Sequence, residues 1–167
     1  MGVTGKTEKD LMEAFAGESQ ANRKYLAFAK KAESEGHSQA AKLFRAAAHS
    51  ETIHAHKHLG FLGGIKETPA NIQASIEGET YEFTEMYPAF KADAQQEGFD
   101  DVVEYISFVT KVEKEHSQLY QKELDNLGNN ADVDYYVCGF CGHVHEGAAP
   151  EKCPVCGAPQ SKFSKVD

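Results

Sequence analysis

The chain has 167 residues, enough for one domain of ordinary size and a small second one. It carries 26 acidic against 17 basic residues, for a net charge of −9 and a pI of about 5.3, and it has no Lys/Arg cluster. That balance argues against a nucleic-acid partner. No run approaches the roughly 18 apolar residues of a membrane span, and the N-terminus lacks the apolar core of a signal peptide.

The first predicted helix starts near Thr7, a candidate N-cap with Asp10 three residues on, and ends at Gly36. Its inner face reads Leu11, Phe15, Glu18, Asn22, Tyr25, Ala29, in helical steps of three and four. The second presents Leu43, Ala47, Glu51, His54, His58 and Leu62, and stops at Gly63-Gly64. After a longer connection, Thr68-Pro69 starts a third helix that shows Ile76, Glu79, Glu82 or Phe83, Met86 and Phe90 and ends near Gly98. The fourth runs from about Asp100 through Val102, Ile106, Val109, Glu113, His116, Tyr120 and Leu124 to Gly128-Asn129-Asn130.

Each stripe is apolar with a carboxylate at its middle. Burying one unpaired charge costs several kcal/mol, so four helices sharing this feature point to cations between them. Two helices add an imidazole three residues after the carboxylate, Glu51-Thr-Ile-His54 and Glu113-Lys-Glu-His116, which places each pair on one helix face. A Glu from each of two helices and a Glu-x-x-His from each of two others is the ligand pattern of a dinuclear site in an all-α, ferritin-like four-helix bundle with one long crossover. Glu18 and Glu79 are the matching single carboxylates, and Glu82, three residues on, is a further candidate. Carboxylates with imidazoles suit iron or manganese. Tyr25 and Tyr87 lie near ligand-bearing stretches, as core aromatics or as hydrogen-bond donors to a ligand carboxylate. His49, His56 and His58 read as solvated, and Glu115 should point away from the face of its motif.

From Asp134 the character changes. Tyr135-Tyr136-Val137 reads as a short strand, followed by Cys138-x-x-Cys141-Gly and Cys153-Pro-x-Cys156-Gly. Paired knuckles of this kind converge tetrahedrally on one ion, iron or zinc. Four thiolates complete the shell, so His143 and His145 are expected to be exposed. All four cysteines fall in these two pairs, which favours metal binding in a reducing cytoplasm over a disulfide framework. The boundary is placed between an all-α domain of residues 1–130 and a metal-knuckle domain of residues 131–167.

The phrases Ala-Phe-Ala-Gly-Glu18-Ser, Glu51-x-x-His54, Gly-Glu79-x-x-Glu82-x-Thr-Glu-Met-Tyr87 and Glu113-Lys-Glu-His116 resemble those of the rubrerythrin family, and the cysteine tail resembles its rubredoxin-like domain. The resemblance implies a non-haem di-iron centre and one iron on Cys138, Cys141, Cys153 and Cys156. It implies a cytoplasmic peroxidase that reduces hydrogen peroxide to water, with electrons arriving from rubredoxin or an NAD(P)H-linked reductase. Glu51 and Glu113 would bridge the irons, Glu18 with Glu82 or His54 would serve one, and Glu79 with His116 the other. Tyr25 and Tyr87 match the tyrosines that hydrogen-bond near the site. The rival readings are a ferroxidase or iron store, a zinc-ribbon scaffold, and an oxygenase.

Helix geometry adds one expectation. From Glu113 to Leu127 the fourth helix rises about 21 Å. Unless the cysteine domain folds back, its ion lies at least that far from its own chain's dinuclear site, and a head-to-tail homodimer would bring it to a neighbour's site.

Overall fold

The computed structural model describes residues 3–166; the outermost residues of the two expected domains lie outside the described residues. The helices are α1 (Lys6–Ser34), α2 (Ser38–Phe61), α3 (Thr68–Tyr81), α4 (Tyr87–Glu97) and α5 (Asp100–Asp125). Three short antiparallel strands follow, β1 (Tyr135–Cys138), β2 (Val144–Glu146) and β3 (Phe163–Val166), with β1 in the centre. No helix among the described residues is long and apolar enough to cross a membrane.

The chain divides into two compact units between Lys66 and Glu67. The first is the α1–α2 hairpin. Its buried seam is made of alanines: Ala29 and Ala32 on α1, and Ala41, Ala48 and Ala55 at seven-residue spacing on α2. Side chains this small let the two backbones approach closely. Asn22 fixes the register, its amide donating to the Ala48 carbonyl at 2.7 Å and to the Thr52 hydroxyl at 2.8 Å. The expected N-cap Thr7 lies inside α1, whose N-terminus carries no side-chain cap. Leu43, expected on the inner stripe of α2, is 69% exposed, because the alanine seam runs along a neighbouring face.

The second unit packs α3 and α4 against α5 and carries the cysteine domain. The third predicted helix is continuous but not uniform. Between α3 and α4, residues Glu82–Met86 form a π-helical turn. Pro88 follows; it has no N–H for the carbonyl four residues back, and its ring crowds that carbonyl. A π turn absorbs this misfit, and such turns collect at functional positions. This one begins at Glu82. The Thr80 and Ser117 hydroxyls meet at 3.0 Å and join α3 to α5.

The connection from α2 to α3 is the longest between helices, but it is only residues 62–67. Its first residues close α2: the Gly64 N–H bonds to the Leu59 carbonyl and the Gly63 N–H to the Gly60 carbonyl, with Gly63 at φ 68°. That is a Schellman cap, and it leaves few residues for a long crossover.

Candidate metal centres

Two oxygen-and-nitrogen triplets form, one in each unit, and each has its donor atoms within 4.8 Å of one another. In the first, His54 Nδ1 lies 2.9 Å from Glu51 Oε2 and 3.8 Å from Glu18 Oε1. In the second, His116 Nδ1 lies 2.8 Å from Glu113 Oε2 and 3.7 Å from Glu79 Oε2. The i,i+3 spacing of each Glu-x-x-His brings those two side chains together on one helical face, and the facing helix supplies the third ligand. Six of the seven expected oxygen-site ligands are therefore gathered as two half-sites.

The seventh, Glu82, borders the second half-site. Burial, and then the charge of Glu79, push its carboxyl above the usual range. Glu79 is also pushed up, by burial and by its hydrogen bond and repulsion with Glu113. Crowded carboxylates that resist ionising are what a bound cation would relieve. His116 Nε2 is buried without a protein partner. The donor set is hard oxygen plus imidazole and fits iron.

The two tyrosines differ. Tyr87 feels the carboxylates of Glu82, Glu113 and Glu79; burial first, and then these charges, raise its phenol. Tyr25 packs in an aromatic cluster with Phe28 and Phe44, at centroid distances of 6.4 and 6.2 Å. His49 and His56 are exposed as expected, whereas His58 is half-buried with Nδ1 unpartnered.

The four cysteines converge. Cys138 and Cys156 sulfurs lie 3.8 Å apart, and Cys141 and Cys153 sulfurs 3.6 Å. A tetrahedron with metal–sulfur bonds of about 2.3 Å has edges of about 3.8 Å, so the cage fits one ion, and its spacing is far from a disulfide's. The two knuckles are built alike. Cys138 N–H bonds to the His143 carbonyl and Gly142 N–H to the Cys138 carbonyl; Cys153 N–H bonds to the Ala158 carbonyl and Gly157 N–H to the Cys153 carbonyl. Gly142 and Gly157 both take positive φ, 87° and 76°, to make these turns. Burial pushes up the thiols of Cys141 and Cys156. Burial also acts on Cys138, but the N–H groups of Cys141 and Phe140 outweigh it and its thiol is lowered.

Two expectations are corrected. The cysteine domain folds back onto α5: Val112, next to Glu113, packs into one buried cluster with Cys138, Cys141 and Cys153. The 21 Å separation drawn from an outward-running tail therefore does not apply. His143, expected to be exposed, is 6% exposed, and its Nδ1 meets Glu115 Oε2 at 2.5 Å. Glu115 does point away from the ligand face, as expected, and there it finds the imidazole. No periodicity in the sequence announces a contact between residues 28 positions apart.

Beside Glu79 and His116 lies an open cleft of about 580 Å³, bordered also by Tyr120, Glu123 and Tyr135.

The family model for rubrerythrin matches residues 9–124, and that for the rubrerythrin rubredoxin-like domain matches residues 136–164. The chain is 36% identical to rubrerythrin of Porphyromonas gingivalis, over 96% of this chain and 90% of that one. It is 34% identical to rubrerythrin-1 of Clostridium acetobutylicum, over 95% and 93%. Among solved structures, nigerythrin in a mixed-valence state is similar at 32% identity and a TM-score of 0.57, covering 98% of this chain and 88% of that one.

Proposed function

The chain belongs to the rubrerythrin family, and from that premise we propose that it is a peroxidase that reduces hydrogen peroxide to water. Family membership implies a ferritin-like helical domain with a di-iron centre and a rubredoxin-like domain with one iron on four cysteines. In the proposed assignment, Glu18, Glu51, His54, Glu79, Glu82, Glu113 and His116 hold the two irons, and Cys138, Cys141, Cys153 and Cys156 hold the third. The domain boundary at residues 130/131 belongs to the same reading, supported by the gap between the two family matches.

The observation that carries the reading is the pairing of two near-identical carboxylate–imidazole triplets with a tetrahedral thiolate cage in one chain. Two irons held by these residues would supply the two electrons that reduce one peroxide and the Lewis acidity that polarises its oxygens. The protein's own residues do the rest. Glu51 and Glu113 each share a helix face with the histidine three residues on, so each pair would meet the metal together. Glu82 borders the second half-site, where burial and the charge of Glu79 raise its carboxyl, so it takes up a proton more readily than a free glutamate whenever it is not bound to metal. Tyr87 stands in the field of three carboxylates with its phenol protonated, as a donor rather than an acceptor. Tyr25, on the face of α1 that bears Glu18, is assigned the equivalent part at the first half-site.

Electrons come, in this proposal, from a rubredoxin or an NAD(P)H-linked reductase, in the cytoplasm where a thiolate site stays reduced. A homodimer remains part of it, on a new ground. From Phe61 to Thr68 the chain spans at most about 25 Å, whereas α2, at 24 residues, is about 36 Å long. A ferritin-like crossover must run the length of a helix, and this connection is too short to do so. The half-site of one copy is therefore completed by the complementary half-site of a second copy. Met12, Leu43, Ile53 and Phe61, 56–69% exposed on the α1–α2 hairpin, provide apolar surface for such a contact.

The test is metal analysis followed by anaerobic mixing of the reduced protein with peroxide or with dioxygen. Three irons per chain and peroxide consumption well ahead of dioxygen consumption support the proposal. Faster dioxygen consumption would favour a ferroxidase.

A further inference from the structure

Charge is unevenly divided along the chain. Residues 1–66 carry ten basic and seven acidic side chains, whereas residues 67–167 carry seven and nineteen. On the α1–α2 hairpin, Arg23, Leu26 and Lys30 follow one another at helical spacing on α1 and border, with Arg45 of α2, an open groove of about 530 Å³. Around α1 these three lie about 80–140° from Glu18, and around α2 Arg45 lies about 120° from Glu51. The groove therefore opens on a side of the hairpin away from the first half-site. Arg45 is paired with Glu33 at 2.9 Å, but neither Arg23 nor Lys30 has an ion-pair partner among the described residues.

The second unit holds the counterpart. α4 ends at Gly98, with φ 80°, and Phe99 precedes α5. Phe99 is 53% exposed. Asp93, Glu97, Asp100, Asp101 and Glu104 flank it within six residues, all exposed, and none is in an ion pair among the described residues. The helix dipole of α5 accommodates Asp100 and Asp101 in its first turn, but Glu97 sits in the last turn of α4, where negative charge is unfavourable. Carboxylates so placed repel one another and gain from an external cation. A groove with an arginine and a lysine beside a leucine offers both things this corner lacks, positive charge for its carboxylates and apolar surface for its ring.

We propose that the basic groove of the α1–α2 hairpin is the docking site for the acidic α4–α5 corner of a second copy of this chain. Arg23 and Lys30 meet Asp100 and Asp101, and Phe99 is the apolar anchor on Leu26. A chain of net charge −9 repels its copies at long range, and the segregation of its two signs is what allows a local attraction. Groove and corner belong to one chain, so two copies related by a twofold axis exchange them reciprocally, and the contact closes instead of growing into a filament. The surface lies away from Glu18 and Glu51, and the proposal goes beyond the homodimer inferred above: the contact doubles whatever assembly the half-sites make. It requires neither metal nor peroxidase activity.

The experiment measures the mass of the full-length, iron-loaded protein by sedimentation equilibrium at about 0.01 M and about 1 M salt, where the screening length falls from about 30 Å to about 3 Å. The mass at low salt is expected to be twice that at high salt. Arg23→Glu alone, and Asp100→Lys with Asp101→Lys, are each expected to hold the low-salt mass at the high-salt value, and combining all three substitutions is expected to restore the doubling. Phe99→Ala should weaken the low-salt association by at least about tenfold. Iron content is read beside each mass; should charge reversal cost iron, Arg23→Gln tests the same contact. A wild-type mass that does not change with salt overturns the proposal, as does an Arg23→Glu mass equal to that of wild type at low salt, or a triple variant that stays apart. Doubling that obeys these substitutions in a protein without peroxide turnover would sink the peroxidase reading and leave this surface standing.

Discussion

The two half-sites have the same internal geometry and different settings. Their His–Glu distances agree to 0.1 Å. Yet the His54 side chain is 51% exposed and the His116 side chain 23%. The first triplet stands on the alanine-seamed hairpin of α1 and α2. The second has Glu82 at the start of a π turn, Tyr87 nearby, and a cysteine domain docked on the next face of its helix. Identical ligand spacing sets identical local geometry, and the surroundings assign the work. In the proposed reading the first half-site supplies ligands alone, while the second also has Glu82 and Tyr87 beside it.

The largest effect is expected from breaking either half. Glu51→Ala and Glu113→Ala should each lose the iron pair and peroxide turnover, because each removes a carboxylate from a triplet that has only three donors. Co-expressing the two variants sharpens the comparison. If half-sites are completed between copies, mixed dimers contain one site with both wild-type halves, and iron and turnover return in part. Activity absent from isolated mixed dimers would show that each chain completes its own site.

Glu82→Gln should lower peroxide turnover by about 10- to 100-fold with little loss of iron, measured by steady-state kinetics beside metal analysis. Unchanged turnover would remove the functional difference between the halves.

The carboxylate shifts predict a pH effect on the metal-free protein. Glu79 and Glu82 have raised native-state values, so the folded state holds protons that the unfolded state has released. Their contribution to stability is fully present below the ordinary value of 4.5 and is lost as pH rises through the raised values. The thermal midpoint of apo-protein should therefore fall as pH increases above that range, and Glu79→Gln should flatten the dependence. Metal loading should reverse it.

The smallest effect concerns register. Asn22→Ala removes two hydrogen bonds across the first hairpin and should cost about 1–2 kcal/mol. Ser117→Ala removes one across the second and should cost about 0.5–1.5 kcal/mol. Urea unfolding of each variant measures both.

Much of the site was legible because helical periodicity projects directly into space. Glu51 with His54, and Glu113 with His116, had to share a face, and Cys138-x-x-Cys141 with Cys153-x-x-Cys156 had to converge if they bound one ion. The π turn was less accessible: Pro88 hinted at a disturbed helix, but an apolar stripe continued through it. Leu43 lies on the stripe of α2 that carries Glu51 and His54 and is exposed in the single chain, whereas the close seam with α1 selected Ala41, Ala48 and Ala55.

By itself the sequence determined the helical class, the cysteine cage and which carboxylates and histidines share a helix face, since these depend on residue types at fixed local spacing. Only the tertiary structure decided that the tail turns back on α5, that His143 is buried against Glu115, and that each unit gathers three of the candidate oxygen-site ligands. Those outcomes depend on contacts between distant stretches of chain and on the reach of a six-residue connection. Packing between separate surfaces sets them, and no local repeat encodes it.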